Sequence, residues 1–240
     1  MASVRRSGEE LSAFVRESPV HRPAIVAAVR RFAAGLPSGT RVLDAGAGMA
    51  PYRELFAHCD YVTHDWPASP HERASEADVV GDLCSLPLAD DGFDAALCTE
   101  VLEHVATPLA AVDELYRVLR PGGRMLVTVP FVAQLHEEPH DHYRYTSYGL
   151  RGLLERGGFE VEDVEPLTGY FRTLVHTLRV GGLAIRARDR RSRPATRLAG
   201  LVLQALSLLL HPLARTLDGL DEHRGLPLGW SALASVPRRD

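Results

Sequence analysis

Residues 41–52 read R-V-L-D-A-G-A-G-M-A-P-Y, which is an apolar run followed by an acid and two closely spaced glycines. This order predicts a buried β-strand followed by a tight loop. Gly46 and Gly48 carry no side chains, so a ligand can lie directly against backbone N–H and C=O groups. We therefore predict a cofactor-binding loop formed by Asp44, Ala45, Gly46 and Gly48.

Two other interpretations of these glycines stay open at this point, a dinucleotide site and a plain tight turn. The dinucleotide fingerprint has a third glycine three residues after the second, where it lets the helix pack closely on the strand. Pro51 stands at that position in this chain. Asp44 would repel a diphosphate but could help to order a loop that receives a zwitterionic amino acid. The spacing therefore favours a cofactor with a cationic sulfonium group.

Short apolar runs alternate with helical patterns over residues 41–166, as in R-V-L-D-A, Y-V-T-H-D, F-D-A-A-L-C and R-M-L-V-T-V-P. This alternation predicts βαβ crossovers, and hence a parallel sheet covered by helices on both faces. A helix is predicted to begin at Pro51, and a turn is predicted at Pro121–Gly123. The 240 residues are 45% hydrophobic, which is enough for one large α/β domain.

The residues just after each predicted strand matter most, because ligands bind at the carboxyl ends of the strands in an open parallel sheet. Asp65 follows the second strand about 20 residues after the glycines, where a carboxylate is expected to accept hydrogen bonds from ribose hydroxyls. Trp66 is expected to stack on an adenine ring. The other predicted contacts are Asp82 with Leu83 near the adenine, and Cys98, Thr99 and Glu100 near the amino-acid end. Residues suited to one cofactor follow all four strands, and this favours a shared pocket over the alternative of separate solvated turns.

Four segments of the chain resemble class I S-adenosylmethionine-dependent methyltransferases, in the branch that methylates small molecules and cofactors. They read V-L-D-A-G-A-G, T-H-D, G-D-L-C-S-L-P-L-A-D-D-G-F-D-A-A-L-C-T-E-V-L-E-H-V and L-R-P-G-G-R-M-L-V-T-V-P. The resemblance covers residues 39–166 and the C-terminal segment. It implies an α/β, Rossmann-like fold with a seven-stranded sheet in the order 3-2-1-4-5-7-6, whose last strand is antiparallel. It also implies S-adenosylmethionine as cofactor and S-adenosylhomocysteine as its product.

The chain is predicted to comprise an N-terminal helical cap at 1–36, a cofactor-binding core at 37–166, a helical insertion at 167–227 and the final strand at 228–240. The cap is expected to begin with a helix at Glu9–Ser18. The insertion departs from the resemblance, because the sixth and seventh strands of these enzymes usually join by a short hairpin.

The insertion contains an arginine-rich stretch at Arg186–Arg193 and an apolar run at Leu198–Leu210. Three roles stay open for it: a lid, a hairpin packed on the domain or on a second subunit, and an interfacial segment that contacts a membrane or hydrophobic substrate through residues 186–213. The apolar run of 13 residues spans roughly 20 Å as a helix. This is shorter than the ~30 Å hydrocarbon core, so we predict that it does not span a membrane.

Residues 134–146, Q-L-H-E-E-P-H-D-H-Y-R-Y-T, follow the fifth predicted strand. In class I enzymes this loop lies across the methyl group, so its residues are expected to face the acceptor. His140 is the first candidate for a general base, with Asp141 or Glu138 able to orient it, and His104 is the second. The other catalytic candidates are His136, Tyr143 and Arg144.

Arg144 could bind a carboxylate or phosphate of the substrate with two hydrogen bonds, or form a structural salt bridge with Glu103 or Asp141. The histidines and acids of this segment offer enough ligands for zinc or iron. However, the three histidines are spaced by four and two residues, which is not a recognised ligand signature, so no metal site is predicted.

These features favour transfer of a methyl group to an oxygen of a small molecule, such as a sugar or a natural-product intermediate. The formal charge of −4 argues against a nucleic-acid partner. Three widely spaced cysteines, and no apolar run after Arg5 and Arg6, favour a cytoplasmic protein with reduced thiols. Nitrogen or carbon acceptors, a nicotinamide-dependent oxidoreductase, a non-catalytic cofactor-binding subunit and a homodimer stay open.

Overall fold

The structure is a computed structural model that describes residues 11–16, 18–69, 76–188 and 194–239. Contacts divide the chain into two compact units, which are Met1–Glu165 with Gly229–Asp240, and Pro166–Leu228. We call them the core unit and the hairpin unit. The helix predicted at Glu9–Ser18 is helical at residues 11–16, whereas its residues 9, 10 and 17 lie outside the described residues.

The core unit is built from a sheet and helices in alternation. Its helices are α1 (Arg22–Ala34), α2 (Pro108–Val118) and α3 (Ser147–Arg156), and short 3-10 turns cover Arg53–Phe56 and Leu102–His104. Its strands are β1 (Arg41–Ala45), β2 (Asp60–Asp65), β3 (Val79–Val80), β4 (Phe93–Thr99), β5 (Leu119–Pro130), β6 (Glu160–Pro166) and β7 (Gly229–Ser235).

The seven strands form one sheet in the order β3-β2-β1-β4-β5-β7-β6. β1 pairs in parallel with β2 and β4, β4 pairs in parallel with β5, and β7 runs antiparallel to β5. The predicted Rossmann-like α/β fold, with its strand order and antiparallel last strand, is confirmed. The carboxyl ends of β1, β2, β4 and β5 therefore lie along one edge of the sheet.

The centre of the sheet is fully buried because its strands are apolar on both faces. Leu43 of β1, Leu97 of β4 and Met125 of β5 have no exposed surface. α2 covers this region with Leu115, and it buries three more apolar side chains at helical spacing, Ala111, Val112 and Val118. The sheet is thus a rigid base for the loops at its carboxyl edge.

Two local predictions were wrong. No α-helix begins at Pro51, since Ala50 has a positive φ of 51° and only a 3-10 turn follows at Arg53–Phe56. The P-G-G sequence is a bulge within β5 rather than a turn before it. Phe93 pairs with Leu119 there, and the register then shifts so that Ala95 pairs with Arg124.

The hairpin unit consists mainly of α4 (Tyr170–Arg188) and α5 (Pro194–Asp218). Residues 189–193 of the arginine-rich stretch lie outside the described residues. The carboxylate of Asp218 accepts hydrogen bonds from the backbone N–H of Gly169 and from the side chain of Arg172. This carboxylate therefore joins the end of α5 to the start of α4.

The two helices approach each other closely at small residues. Gly200, Ser207 and Ala214 are buried at seven-residue intervals on α5. The Ser207 hydroxyl donates a hydrogen bond to the Val175 carbonyl oxygen at 2.9 Å. A Cβ added at Gly182 would lie 2.7 Å from the Gly200 carbonyl oxygen, so the backbones approach closely. The apolar side chains of α5 that stay exposed are Leu198, Leu201, Val202, Leu206, Leu208, Leu209 and Leu213.

α5 is longer than the apolar run from which its length was predicted. It has 25 residues, which is about 37 Å at helical rise, and by length and composition alone it is long and apolar enough to cross a membrane. Among the described residues α5 alone meets this criterion, and 17% of its most apolar window is buried. The length argument was wrong, because it left out helical residues on both sides of the run, whereas the prediction that this segment does not span a membrane stays a prediction.

The burial of α2 predicts a difference between two leucines of the same helix. Leu115→Ala should lower the free energy of unfolding by about 2–5 kcal/mol, because it opens a cavity in the core. Leu109→Ala should lower it by less than about 1 kcal/mol, since Leu109 is partly exposed. Chemical denaturation followed by circular dichroism measures both values. Equal losses would contradict the packing of α2.

Candidate active site

The loop after β1 is shaped by its glycines. Gly46 and Gly48 have positive φ values of 78° and 55°, which other residues rarely adopt. The backbone N–H groups of Gly46 and Ala47 both donate to the carbonyl oxygen of His64 at 2.9 Å. A Cβ added at Gly46 would lie 2.4 Å from a methyl carbon of Val101, so there is no room for a side chain.

Asp65 ties this loop to the end of β2. Its Oδ2 accepts the Gly48 N–H and its Oδ1 accepts the Trp66 N–H, both at 2.7 Å. A carboxylate has about four acceptor positions, so each oxygen retains a lone pair for another donor. Asp65 is thus placed where the sequence predicted a ribose contact, and it also holds the glycine loop.

Asp44 lies buried at the end of β1, where one of its oxygens has a partner and the other has none. The Tyr61 hydroxyl donates to Oδ2, whereas Oδ1 has no hydrogen-bond partner among the described residues. Burial, with a smaller contribution from the charge of Asp65, raises the pKa of Asp44 to about 7. Ala45, next in the chain, is fully buried within β1. A donor or cation beside Asp44 would stabilise its ionised form.

The remaining predicted cofactor residues differ in whether their side chains, or only their backbone groups, could contact a ligand. Asp82 is exposed, and its Oδ1 closes a turn by accepting the Cys84 N–H at 2.8 Å. The side chains of Leu83 and Cys98 belong to the hydrophobic core, so only their backbone groups could contact a ligand. The other two predicted contacts are Thr99, which hydrogen-bonds Tyr52, and Trp66, whose ring is partly exposed.

Residues 131–146, between β5 and α3, form what we call the crossing loop. The His140 ring contacts the Trp66 ring after β2, with ring centroids 5.2 Å apart. The backbone N–H of His142 donates to the Glu103 carbonyl oxygen at 2.8 Å. Because β1 and β4 lie between β2 and β5, the loop crosses the carboxyl edge of the sheet from β5 to the end of β2.

Asp141 and Arg144 hold the crossing loop in shape. Both oxygens of Asp141 accept hydrogen bonds from the Arg144 guanidinium, at 2.6 and 2.7 Å, and this keeps the pKa of Asp141 well below its usual range. Asp141 also accepts the backbone N–H of His136 at 2.9 Å. The prediction that Asp141 orients His140 was therefore wrong. Of the two roles predicted for Arg144, the structure shows the salt bridge to Asp141.

Glu103, His104 and His136 meet beside this loop, with one ligand-type atom of each within 4.8 Å of the others. Glu103 has no exposed surface, and neither of its carboxylate oxygens has a hydrogen-bond partner among the described residues. Burial raises the pKa of Glu103 well above its usual value, and the charge of Glu100 adds to this. Burial lowers the pKa of His104.

Glu100 places a second carboxylate next to this cluster. The Thr128 hydroxyl donates to its Oε1 at 2.9 Å, and its Oε2 lies 3.8 Å from Nε2 of His21. Burial raises the pKa of Glu100 to about 7 and lowers that of His21 to about 4. Glu100 was predicted beside the amino-acid end of the cofactor, whereas Glu103 was predicted only as an alternative salt-bridge partner of Arg144. The run T-E-V-L-E-H, with two acids and a histidine directly after a buried strand, is the signal that could have identified Glu103 as a site residue.

The hydroxyl of Tyr143 is bound by the backbone, since it donates a hydrogen bond to the Ala106 carbonyl oxygen at 3.0 Å. Its ring packs against Tyr145, with centroids 5.7 Å apart. Its inclusion among the catalytic residues stays a prediction.

A family model described as a methyltransferase domain matches residues 43–127. Residues 43–127 form a class I S-adenosylmethionine-dependent methyltransferase domain. The match runs from β1 to β5, so it covers the glycine loop, Asp65 and the Glu100–His104 segment of this methyltransferase domain.

Similar proteins match part of the chain. A tRNA (carboxymethyluridine(34)-5-O)-methyltransferase of Arabidopsis thaliana is 37% identical over 42% of this chain and 26% of its own length. A probable S-adenosylmethionine-dependent methyltransferase of Mycolicibacterium smegmatis is 33% identical over 52% of this chain and 54% of its own length. The chain thus spans about a quarter to a half of these curated relatives.

A solved structure shares the fold over most of the chain. The [4+2]-cyclase SpnF aligns with a TM-score of 0.58 and 22% identity, covering 91% of this chain and 82% of SpnF. This likeness concerns the fold alone. That a cyclase has the same fold shows that the sheet does not determine the reaction.

S-adenosylmethionine is the cofactor of this class of domain, and S-adenosylhomocysteine is its product. Two observations show that the residues present fit it. The unpartnered Oδ1 of Asp44 suits the positively charged amino-acid end, and Asp65 keeps lone pairs for ribose hydroxyls. A diphosphate would instead lie beside two carboxylates.

The tight approach at Gly46 makes a testable prediction. Gly46→Ala should weaken the binding of S-adenosylhomocysteine at least about tenfold, because the new Cβ displaces Val101 and the loop with it. Gly39→Ala is a matched control, since Gly39 has a similar φ of 81° but no atom within 4 Å of an added Cβ. The control should lose stability but keep its affinity. Calorimetry gives both affinities, and equal binding by the two variants would contradict the loop assignment.

Proposed function

We propose that the protein transfers the methyl group of S-adenosylmethionine to an oxygen of a small molecule, such as a sugar or a natural-product intermediate. The crossing loop carries this proposal, because it brings His140 against Trp66 at the cofactor edge of the sheet. A relative named for methylating an oxygen supports the choice of acceptor atom. The net charge of −4 supports a small molecule rather than a nucleic acid.

The cofactor supplies a methyl group activated by its positively charged sulfur, so the protein has mainly to align the acceptor and exclude water. Asp44 and the glycine loop hold the amino-acid end of the cofactor, and Asp65 holds its ribose. The crossing loop covers the same edge and shields it from solvent. Its clamp between Asp141 and Arg144 keeps it in one conformation.

A hydroxyl acceptor must lose its proton as the new bond forms, and we assign His140 as the general base that takes up this proton. No described residue forms a hydrogen bond with the His140 ring, so a ring nitrogen is available to the acceptor. The backbone fixes this residue instead. Its N–H donates to the Glu137 carbonyl oxygen, and its own carbonyl oxygen accepts Nδ1 of His104, each at 3.0 Å.

Alternative functions differ in what they predict. A nitrogen or carbon acceptor would leave the cofactor site unchanged and give a different methylated product. A nicotinamide-dependent oxidoreductase would bind a reduced dinucleotide. A non-catalytic subunit would bind the sulfonium cofactor without ever releasing a labelled methyl group from it.

The proposed donor site is tested by Asp65→Ala. This variant should bind S-adenosylhomocysteine at least about tenfold more weakly, because it removes both the ribose acceptor and the hydrogen bond that holds Gly48. Asp60→Ala is the control, since Asp60 lies at the opposite end of β2 and its side chain is exposed. Calorimetry should show no change for the control. Unchanged binding by Asp65→Ala would overturn the assignment.

We also propose that the hairpin unit binds the surface of an anionic membrane from the cytoplasmic side. α4 and α5 together carry six arginines and one acid, Asp218, which is itself paired with Arg172. Basic charge beside exposed leucines is the pattern of interfacial helices. Such contact would give the enzyme access to a hydrophobic acceptor.

The packing and the charges of the hairpin, taken together, support a position at the membrane surface. Leucines face solvent while the helices touch through Gly200, Ser207 and Ala214, an arrangement typical of helices that meet in lipid. α4 nevertheless carries Arg179 and Arg186 along its length, and charges at the bilayer centre are costly. The hairpin therefore fits the interface better than the hydrocarbon core.

Sedimentation of the 240-residue protein with vesicles tests the proposed membrane binding of the hairpin unit. It should sediment with vesicles rich in phosphatidylserine and remain in solution with pure phosphatidylcholine, because the arginines need anionic headgroups. Replacing both Leu208 and Leu209 by Glu should lower the bound fraction at least about fivefold, since their buried area is lost. Leu109→Glu on the core unit is the control and should bind normally.

Two results would contradict the proposed membrane binding of the hairpin unit. One is a protein that stays in solution with both kinds of vesicle. The other is a stable dimer, seen by sedimentation velocity, that the substitutions at Leu208 and Leu209 dissociate, because the leucines would then join two copies of the chain.

A further inference from the structure

Two imidazoles and one carboxylate converge where the crossing loop meets the end of β4. Glu103 and His104 follow β4, whereas His136 belongs to the crossing loop, and one ligand-type atom of each lies within 4.8 Å of the others. We infer that Glu103, His104 and His136 bind a divalent first-row transition-metal ion.

The hydrogen bonds of the two histidines fix which nitrogen can bind a metal. Nδ1 of His104 lies 3.0 Å from the His140 carbonyl oxygen, and Nδ1 of His136 lies 3.2 Å from the Gln134 carbonyl oxygen. A carbonyl oxygen only accepts hydrogen bonds, so Nδ1 of His104 carries the hydrogen. Nδ1 of His136 also lies 3.5 Å from a guanidinium nitrogen of Arg144, and we place its hydrogen on Nδ1 because the carbonyl oxygen is closer. Each Nε2 then keeps its lone pair. Metal-binding histidines are oriented in this way by a backbone carbonyl.

Two carboxylate oxygens lie near Nε2 of His104. Oε1 of Glu103 lies 3.7 Å from this nitrogen, and Oε2 of Glu137 lies 3.8 Å from it. Both oxygens of Glu103 are buried without a hydrogen-bond partner among the described residues. A buried carboxylate in such surroundings is costly unless a cation balances it. A metal ion would bind these lone pairs and supply the missing positive charge.

The kind of ligand identifies the class of ion. Magnesium and calcium prefer sites built from oxygen alone, whereas imidazole nitrogen with carboxylate suits manganese, iron, cobalt and zinc. Two histidines and one carboxylate leave coordination positions open, and Glu137 could fill one of them. Asp141 fixes His136 by accepting its backbone N–H, so the ligand from the crossing loop is held in place.

An ion at this point would also act on the proposed reaction, and this consequence alone rests on the proposed function. It would bind the acceptor oxygen and favour loss of its proton to His140. The oxygen would then form its bond to the methyl carbon as the bond from that carbon to sulfur breaks. The positively charged cofactor would leave as a neutral thioether.

Metal binding can be measured without an acceptor. The full-length protein is stripped with a chelator, dialysed and titrated with Mn²⁺, while electron paramagnetic resonance measures the free ion. We expect one ion per chain with a dissociation constant of about 10 μM or tighter. His136→Ala should weaken binding at least about tenfold, and Glu103→Gln should do the same while keeping the shape of the side chain.

His142→Ala is the matched control, because His142 is exposed in the same loop and lies outside the cluster. It should bind Mn²⁺ like the unchanged protein. His136 is partly exposed, so its replacement should leave the circular dichroism spectrum unchanged. If Mn²⁺, Co²⁺ and Zn²⁺ all bind only at millimolar concentrations, or if His136→Ala binds normally, the metal site is wrong. S-adenosylhomocysteine affinity, measured on the same samples, tests the donor site separately.

Discussion

The hydrogen bond from the Gly48 N–H to the Asp65 carboxylate joins the first two strand ends of the sheet. β1 and β2 are neighbours, so this bond sets the position of the glycine loop relative to the place where a ribose is expected. The loop can approach Asp65 because Gly46 and Gly48 adopt positive φ values. The cofactor pocket therefore depends on backbone geometry that few other residues would allow.

The crossing loop is the second element on which the candidate site depends. The salt bridge between Asp141 and Arg144 shapes the loop, and backbone hydrogen bonds to the Glu103 carbonyl oxygen attach it to the end of β4. The loop thereby lies beside two buried acids, Glu100 and Glu103, whose pKa values are raised mainly by burial. Acids with raised pKa values often mark functional sites, and here they lie next to the edge that binds the cofactor.

Much of the fold followed from the sequence, because short apolar strands alternating with helices leave few topologies open. The residues of the glycine loop and Asp65 could also be predicted, since they lie at strand ends. The meeting of Glu103 with His136 could not, because the two residues come from different loops and only the folded chain brings them together. The sequence did offer Asp141 as a salt-bridge partner of Arg144, three residues away, but it could not decide between Asp141 and Glu103. The predicted domain boundaries and the catalytic roles stay predictions.

Titration calorimetry of the purified protein with S-adenosylhomocysteine, and separately with NADH, tests the central assignment most directly. The shape of the loop after β1, with Asp44 and Asp65 beside it, predicts binding of the thioether at micromolar concentration and no detectable binding of the dinucleotide. Binding of NADH without binding of the thioether would contradict the account.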